Sequence, residues 1–128
     1  SECSTIEPRS GPVSAPIVFF DIAGPDDGSL TKFYSTVFGW NAGANGKFSV
    51  TVSPVMEGAI RRDPAEKRIY VGVPDVSSSL AEVERAGGVI EAPRFEVAGV
   101  VVLGLFRDPA GNPMGLVEME GDRPRLPR

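Results

Sequence analysis

Apolar and polar positions along the first part of the chain follow two different periods. The β-branched and aromatic run at residues 17–22 predicts a strand. A turn rich in Gly and Asp comes next, and then a helix that is capped by Asp27 or Ser29, runs to about Phe38 and ends at Gly39. The apolar side chains of this helix recur every three or four residues and predict one buried stripe, formed by Leu30, Phe33, Tyr34, Val37 and Phe38.

The same order of elements recurs further along the chain. Residues 47–53 and 57–61 predict strands, and a linker at 63–66 separates them from the second half of the chain. The elements predicted after the linker are a strand at 68–73, a helix at 77–86, and strands at 89–92, 97–106 and 113–118. Two copies of strand, helix and several strands, with a period of about 50 residues, predict an α+β fold. The two small sheets must bury their open faces against each other or against a second subunit.

The length of 128 residues fits one domain. We predict that this domain covers residues 16–120, with a first module at about 16–62 and a second module at about 67–120. Residues 1–15 are rich in Ser, Pro and Gly, and residues 121–128 are similarly irregular. Both ends are therefore predicted to be flexible.

Composition and charge narrow the classes of function. The net charge of −4 and the pI near 4.8 argue against a nucleic-acid partner, because such surfaces need clustered Lys and Arg. No apolar run approaches the roughly 20 residues that span a bilayer, and no signal-peptide pattern is evident, so we expect no membrane partner and a cytoplasmic location. The chain has no His and a single Cys, Cys3, which excludes an internal disulfide and removes the commonest general base and metal ligand.

Three segments of the chain resemble the vicinal oxygen chelate superfamily, the glyoxalase/bleomycin-resistance group. They are FFDI at 19–22 with FYSTVFGW at 33–40, YVGVPDV at 70–76 with AGG at 86–88, and FRDPAGN at 106–112. The resemblance implies paired βαβββ modules that form an open, curved sheet with a ligand-sized cleft, and commonly a homodimer.

The resemblance also implies where a divalent metal would be held, and the residues there are unsuitable. The first His position of the family falls on Phe19, the second on Arg68 and the final Glu position on Gly115, while the carboxylate of the fourth strand corresponds at best to Glu57. Phe and Gly offer no side-chain ligand, and Arg carries a fixed positive charge. We therefore predict no metal and no other cofactor.

Strand alternation selects the residues that face the cleft. Phe19 and Asp21 share one face of the first predicted strand, and Arg68 and Tyr70 share the equivalent face of the restarting strand. Phe20 and Ile22, and likewise Ile69, Val71 and Val73, are then predicted to pack in the core. Three alternatives are open: Asp21 and Arg68 form a structural ion pair in place of the metal, Arg68 binds a carboxylate or phosphate of the ligand, or neither residue faces the cleft.

Aromatic residues complete the candidate site. Trp40 is interpreted as core or dimer-interface packing or as a ligand platform, and Phe48 and Phe106 as pocket walls or core residues. The turn that contains Asp108 is predicted to be structural. The candidate ligand-binding residues are Phe19, Asp21, Trp40, Phe48, Arg68, Tyr70 and Phe106.

These observations favour a metal-independent protein that binds an unidentified small molecule and pairs with a second copy of itself. The alternative is a glyoxalase-like lyase or isomerase without metal, in which Asp21 or Glu57 is the base and Arg68 stabilises negative charge. A third reading is a regulatory or structural domain whose cleft is filled by Phe19, Arg68 and Tyr70. An open, aromatic-walled cleft favours the first. No catalytic residue is assigned.

Overall fold

The computed structural model of the protein describes residues 19–54 and 56–127, so the arm predicted at 1–15 lies outside the described residues. The elements are α1 (Asp27–Phe38), β1 (Ile69–Val73), α2 (Val76–Arg85), β2 (Val89–Val97), β3 (Val101–Arg107), β4 (Pro113–Glu120) and β5 (Arg123–Pro124). Neither helix has the length and apolar character that crossing a membrane requires.

The second predicted module is formed as a βαβββ unit. Its strands lie in the order β1-β4-β3-β2, with β1 parallel to β4 and the other pairs antiparallel. The prediction of one strand over 97–106 was wrong, because the turn at 98–100 divides this run into β2 and β3. Gly99 at φ 71° makes that reversal possible, since few other residues adopt a positive φ without strain.

Helix α1 is the part of the first module that forms as predicted. It ends at Gly39, whose backbone N–H bonds to the carbonyl of Ser35. Its N-cap is Asp26 and neither of the predicted residues, Asp27 and Ser29, because the Asp26 carboxylate accepts a hydrogen bond from the backbone N–H of Ser29 at 3.0 Å.

The strands predicted in the first module are absent from the described residues. Residues 17 and 18 lie outside the described residues. The described segments 19–22, 47–53 and 57–61 are not assigned to any strand. A strand needs a neighbouring backbone with which to exchange hydrogen bonds, and no ladder joins these segments to the sheet. The fold is therefore α+β and glyoxalase-like, with one complete module and a first module in which the helix is the only regular element among the described residues.

One hydrophobic core lies between the sheet and both helices. The strand side chains buried there include Phe106, Met114 and Leu116, and they pack against Val76, Leu80 and Val83 of α2 and Leu30, Phe33 and Tyr34 of α1. Along β3, every second residue from Val102 to Phe106 is buried, while the intervening residues are only half-buried. The sheet thus has one face covered by the helices and one face without them.

Residues of the predicted C-terminal tail at 121–128 are bonded to the sheet, and the flexibility predicted for this tail stays a prediction. Strand β5 pairs with β4, and the backbone N–H of Arg125 donates to the carbonyl of Glu118. The backbone N–H of Gly99 donates to the carbonyl of Pro127 at 2.9 Å. These contacts join residues 123–127 to the sheet and to the turn that contains Gly99, and residue 128 lies outside the described part.

Candidate functional site

The face of the sheet that the helices leave uncovered is the candidate binding surface. We call it the helix-free face; its apolar members include Tyr70, Phe95, Leu103, Leu105, Val117 and Met119. Strand alternation places them together, since Leu103 pairs with Phe95 and Val117, and residues directly opposite in a sheet share a face. Tyr70 keeps 46% of its surface exposed, so an aromatic ring is accessible on this face.

Gly115 allows the Tyr70 ring to lie close against the sheet. The two residues are register partners on β1 and β4. A Cβ atom on Gly115 would come within 2.6 Å of Tyr70 Cε2, which is closer than such atoms approach one another. Glycine leaves room for the ring in this position, and Leu105 is the other register partner of Gly115, on the neighbouring strand β3.

A charged network occupies one end of the helix-free face. Arg68 donates from Nη2 to Glu91 at 3.0 Å and from Nε to Glu66 at 3.2 Å. Its Nη1 donates to the backbone carbonyl of Met114 at 2.7 Å, and only 7% of its side chain is exposed. Arg107 donates from Nε to the other carboxylate oxygen of Glu91 at 2.8 Å. The hydrogen bonds that Glu91 accepts lower the pKa of its carboxyl from the ordinary value; the bond from Arg107 is the largest cause, and the bond from Arg68 adds to it.

A surface depression of about 610 Å³ lies beside this network, where residues 61–67 run past the ends of β3 and β4. We call it the 61–67 depression. It is lined by Arg61, Asp63, Pro64, Ala65, Glu66, Lys67, Arg107 and Pro113. Its volume falls in the range of small-molecule pockets, about 300–1,000 Å³.

The predicted pairing of Asp21 with Arg68 was wrong. Arg68 is bonded to Glu66 and Glu91, on residues that precede β1 and lie in β2. Asp21 is exposed, and so is Phe19, at 66% of its surface. The cause is the missing strand at 19–22: without it, Asp21 is not brought alongside the start of β1.

The predicted side-chain alternation nevertheless agrees with the structure in both segments. Phe20 and Ile22 are half-buried, and the Phe20 ring contacts Trp40 at a centroid distance of 6.0 Å. Ile69 and Val71 pack against the core and Val73 is buried. Arg68 and Tyr70 therefore belong to the helix-free face.

Trp40, Phe48 and Phe106, the other buried or half-buried aromatic candidates, lie away from the helix-free face. Trp40 stacks on Phe48 at 5.6 Å and on Tyr34 at 5.5 Å, in a half-buried cluster at the end of α1. Phe106 is fully buried in the core against Phe33, which corrects its prediction as a possible pocket wall. Of the seven candidate residues, the structure brings only Arg68 and Tyr70 together on the helix-free face.

Sequence reasoning missed Glu66, Glu91 and Arg107. Arg107 was detectable, because it continues the same alternation as Leu103 and Leu105. Glu91 was not, because an irregularity in the β2–β3 register lies between Ile90 and Ala92 and shifts the phase of the strand at that point.

The positions that hold metal in the family do not fit a divalent cation here. The Arg68 guanidinium is positively charged and fixed by two carboxylates, and Gly115 lies under the Tyr70 ring, which leaves no space for a ligating side chain. Within residues 19–54 and 56–127, no three His, Cys, Asp or Glu side chains come together as a possible metal site.

No protein-family model matches the chain. It is 26% identical over 111 residues to CFP32 of Mycobacterium tuberculosis, which is named as a candidate glyoxylase; the match covers 75% of this chain and 42% of CFP32. It is 26% identical over 118 residues to the anthracycline biosynthesis protein DnrV of Streptomyces peucetius, covering 73% of this chain and 43% of DnrV. The chain thus spans less than half the length of these curated relatives.

Solved structures share the fold. A glyoxalase/bleomycin resistance protein/dioxygenase family enzyme from Burkholderia phytofirmans superposes with a TM-score of 0.56 at 14% identity, over 74% of this chain and 91% of that one. A glyoxalase-related enzyme from Fulvimarina pelagi gives 0.53 at 18% identity, over 77% and 84%. The βαβββ module and these fold neighbours show a glyoxalase-like fold, and the named relatives support the resemblance of the chain to the vicinal oxygen chelate superfamily, the glyoxalase/bleomycin resistance/dioxygenase group.

Proposed function

We propose that the protein binds a small aromatic molecule on the helix-free face, without a metal ion. The observation that carries the proposal is the half-exposed Tyr70 ring lying on Gly115, beside half-buried aliphatic side chains such as Leu105. Aromatic ligands are bound through apolar contact area and ring stacking, and this surface offers both. The name of DnrV, which refers to anthracycline biosynthesis, associates one relative with a small-molecule pathway and supports this choice.

The lyase or isomerase alternative gains no support from the geometry. Asp21 and Glu57 are both exposed, and neither forms a described contact with Arg68. The guanidinium of Arg68 already donates to Glu66, Glu91 and the Met114 carbonyl, so little of it remains for stabilising charge on a substrate. The reading of a filled cleft is weakened by the exposure of Tyr70 and by the open 61–67 depression.

The test uses 1-naphthamide, an uncharged aromatic probe, in titrations followed by NMR chemical shifts and calorimetry. We expect saturable binding, with shifts concentrated on β1, β3 and β4. Tyr70→Ala removes the aromatic contact and should weaken binding about tenfold, since aromatic contacts contribute about 0.5–1.5 kcal/mol beyond area burial. The control is Leu126→Ala, which removes an exposed apolar side chain beyond the end of β5. Absence of binding, or equal losses in the two variants, would contradict the proposal.

A further inference from the structure

The 61–67 depression carries more positive than negative charge. Its lining includes Arg61, Lys67 and Arg107 against two carboxylates, Asp63 and Glu66. Both carboxylates accept hydrogen bonds from Arg61, and Glu66 is also bonded to Arg68. The acidic groups are thus already paired, and they leave little capacity for a cationic ligand.

Two donor groups in the depression, the Lys67 ammonium and Nη2 of Arg107, have no partner within the described residues. Lys67 is exposed and forms no described hydrogen bond or ion pair. Arg107 uses Nε for Glu91 and Nη1 for the Gly111 carbonyl, and no described contact involves Nη2. These two bonds fix the guanidinium, while 41% of its side chain stays exposed. A fixed guanidinium with a free edge is well suited to bind an oxyanion, to which it donates hydrogen bonds.

The free edge of Arg107 lies next to the aromatic surface. Arg107 and Leu105 are two residues apart on β3 and therefore point to the same face. Leu105 pairs with Gly115, which lies under the Tyr70 ring, and Arg107 pairs with Pro113 in the lining of the depression. A ring held on Tyr70 and Leu105 would place a substituent at one end of the ligand near Arg107.

We infer that the ligand carries an anionic group, a carboxylate or a phosphate, which binds in the 61–67 depression to Arg107 Nη2 and Lys67. This inference rests on the proposed function and names the chemical class of the ligand. Arg68, which the sequence suggests as the anion-binding residue, instead orients Glu91, and Glu91 in turn fixes Arg107.

The experiment compares 1-naphthoate with 1-naphthamide, which share a ring system and differ in charge at pH 7. We expect the intact protein to prefer naphthoate by about tenfold, the effect of one charge-assisted contact at a part-exposed site. Arg107→Gln should abolish the preference. Lys67→Gln, which breaks no described ion pair, should reduce it. The matched control is Arg85→Gln, which removes the same charge from the end of α2 on the covered side of the sheet.

Salt provides a second readout, because screening acts on the charged contact alone. Raising the ionic strength from about 0.01 M to 1 M shortens the Debye length from about 30 Å to 3 Å, and should lower naphthoate affinity while leaving naphthamide affinity nearly constant. Equal affinity for the two compounds, or a preference unchanged in Arg107→Gln, would show that the anion site is wrong while the proposed function stands. If neither compound binds, the proposed function is wrong and the anion site fails with it.

Discussion

Asp108 is a buried carboxylate that is held by uncharged donors. Only 2% of the surface of Asp108 is exposed to solvent. The carboxylate accepts hydrogen bonds from the Tyr34 hydroxyl at 2.8 Å and from the backbone N–H groups of Ala110 and Asn112 at 2.9 Å. The Asn112 side chain donates to it as well, and also to the carbonyl of Ala23. This one carboxylate therefore joins helix α1, the turn before β4 and the segment before α1, which agrees with the structural role predicted for the turn.

We predict that Tyr34→Phe lowers the free energy of unfolding by about 1–3 kcal/mol, since it leaves a buried acceptor short of one donor. Burial, together with the hydrogen bond to Asp108, raises the pKa of Tyr34 above its ordinary value of about 10. The unfolded chain then loses this proton first as pH rises, so the contribution of Tyr34 is full below pH of about 10 and decreases above it. The difference in the free energy of unfolding between wild type and Tyr34→Phe should therefore become smaller above that pH.

Urea denaturation between pH 7 and 11 measures this effect. The control is Tyr70→Phe, because the Tyr70 hydroxyl makes no described hydrogen bond and its side chain is half exposed. We expect that control to stay within about 0.5 kcal/mol of wild type. Equal losses in the two variants would contradict a specific role for the bond between Tyr34 and Asp108.

At the scale of elements, Glu118 joins β4 to two neighbours. Its carboxylate accepts the backbone N–H of Val76, at the start of α2, at 3.0 Å. It also accepts two hydrogen bonds from Arg94 on β2, and Arg125 lies 3.2 Å from it. The helix N-terminus and both arginines favour the ionised form. The hydrogen bonds from Arg94, the largest cause, lower the pKa of Glu118.

We predict that Glu118→Gln destabilises the protein at pH 7 and that the difference from wild type narrows in acid. Because the pKa is lowered in the folded state, the contribution of the carboxylate is present above the unfolded value of about 4.3 and is lost as pH falls below it. Unfolding titrations at pH 3, 5 and 7 measure the effect. Glu120→Gln, an exposed change on the same strand, is the control. A pH-independent difference would contradict the role of the Glu118 charge.

Apart from α1, the elements that the sequence predicts well belong to the second module, whose strands pair with one another. Strands β1, β3 and β4 and helix α2 all belong to one contiguous unit, so alternation and helical spacing suffice to locate them. The segments at 19–22, 47–53 and 57–61 have equally regular patterns, but a pattern does not supply a neighbouring strand.

The candidate site was predictable to the same extent. Tyr70 can be placed by alternation, because β1 is regular, and Arg68 follows the same alternation one residue before the strand begins. The partner of Arg68 was not predictable, since it depends on the bulge that turns Glu91 toward the helix-free face and on a strand that is absent at Asp21.

For the whole molecule, we predict a homodimer. Exposed apolar side chains at Val52, Met56 and Ile60 lie on segments that have no sheet partner among the described residues. Covering this surface with a second copy removes it from water. Sedimentation equilibrium at micromolar concentration should give about twice 13.6 kDa. Ile60→Asp should shift the protein to monomers.

The control for the dimer is Val100→Asp, which places the same charge in the turn between β2 and β3. That variant should sediment like wild type. A wild-type protein that stays monomeric as its concentration rises tenfold would contradict the dimer.

The two outer strands of the sheet, β1 and β2, differ in their ability to accept a further strand. Along β2, Pro93 lacks an N–H, the register is interrupted twice, and Arg94 and Glu96 add charge. Such features prevent edge-to-edge aggregation. The β1 edge has regular register throughout and no proline. A sheet with two open edges can grow into a fibril, whereas a sheet with one open edge is satisfied by a single partner across a twofold axis. From this inequality of the edges we predict that self-association stops at a closed pair.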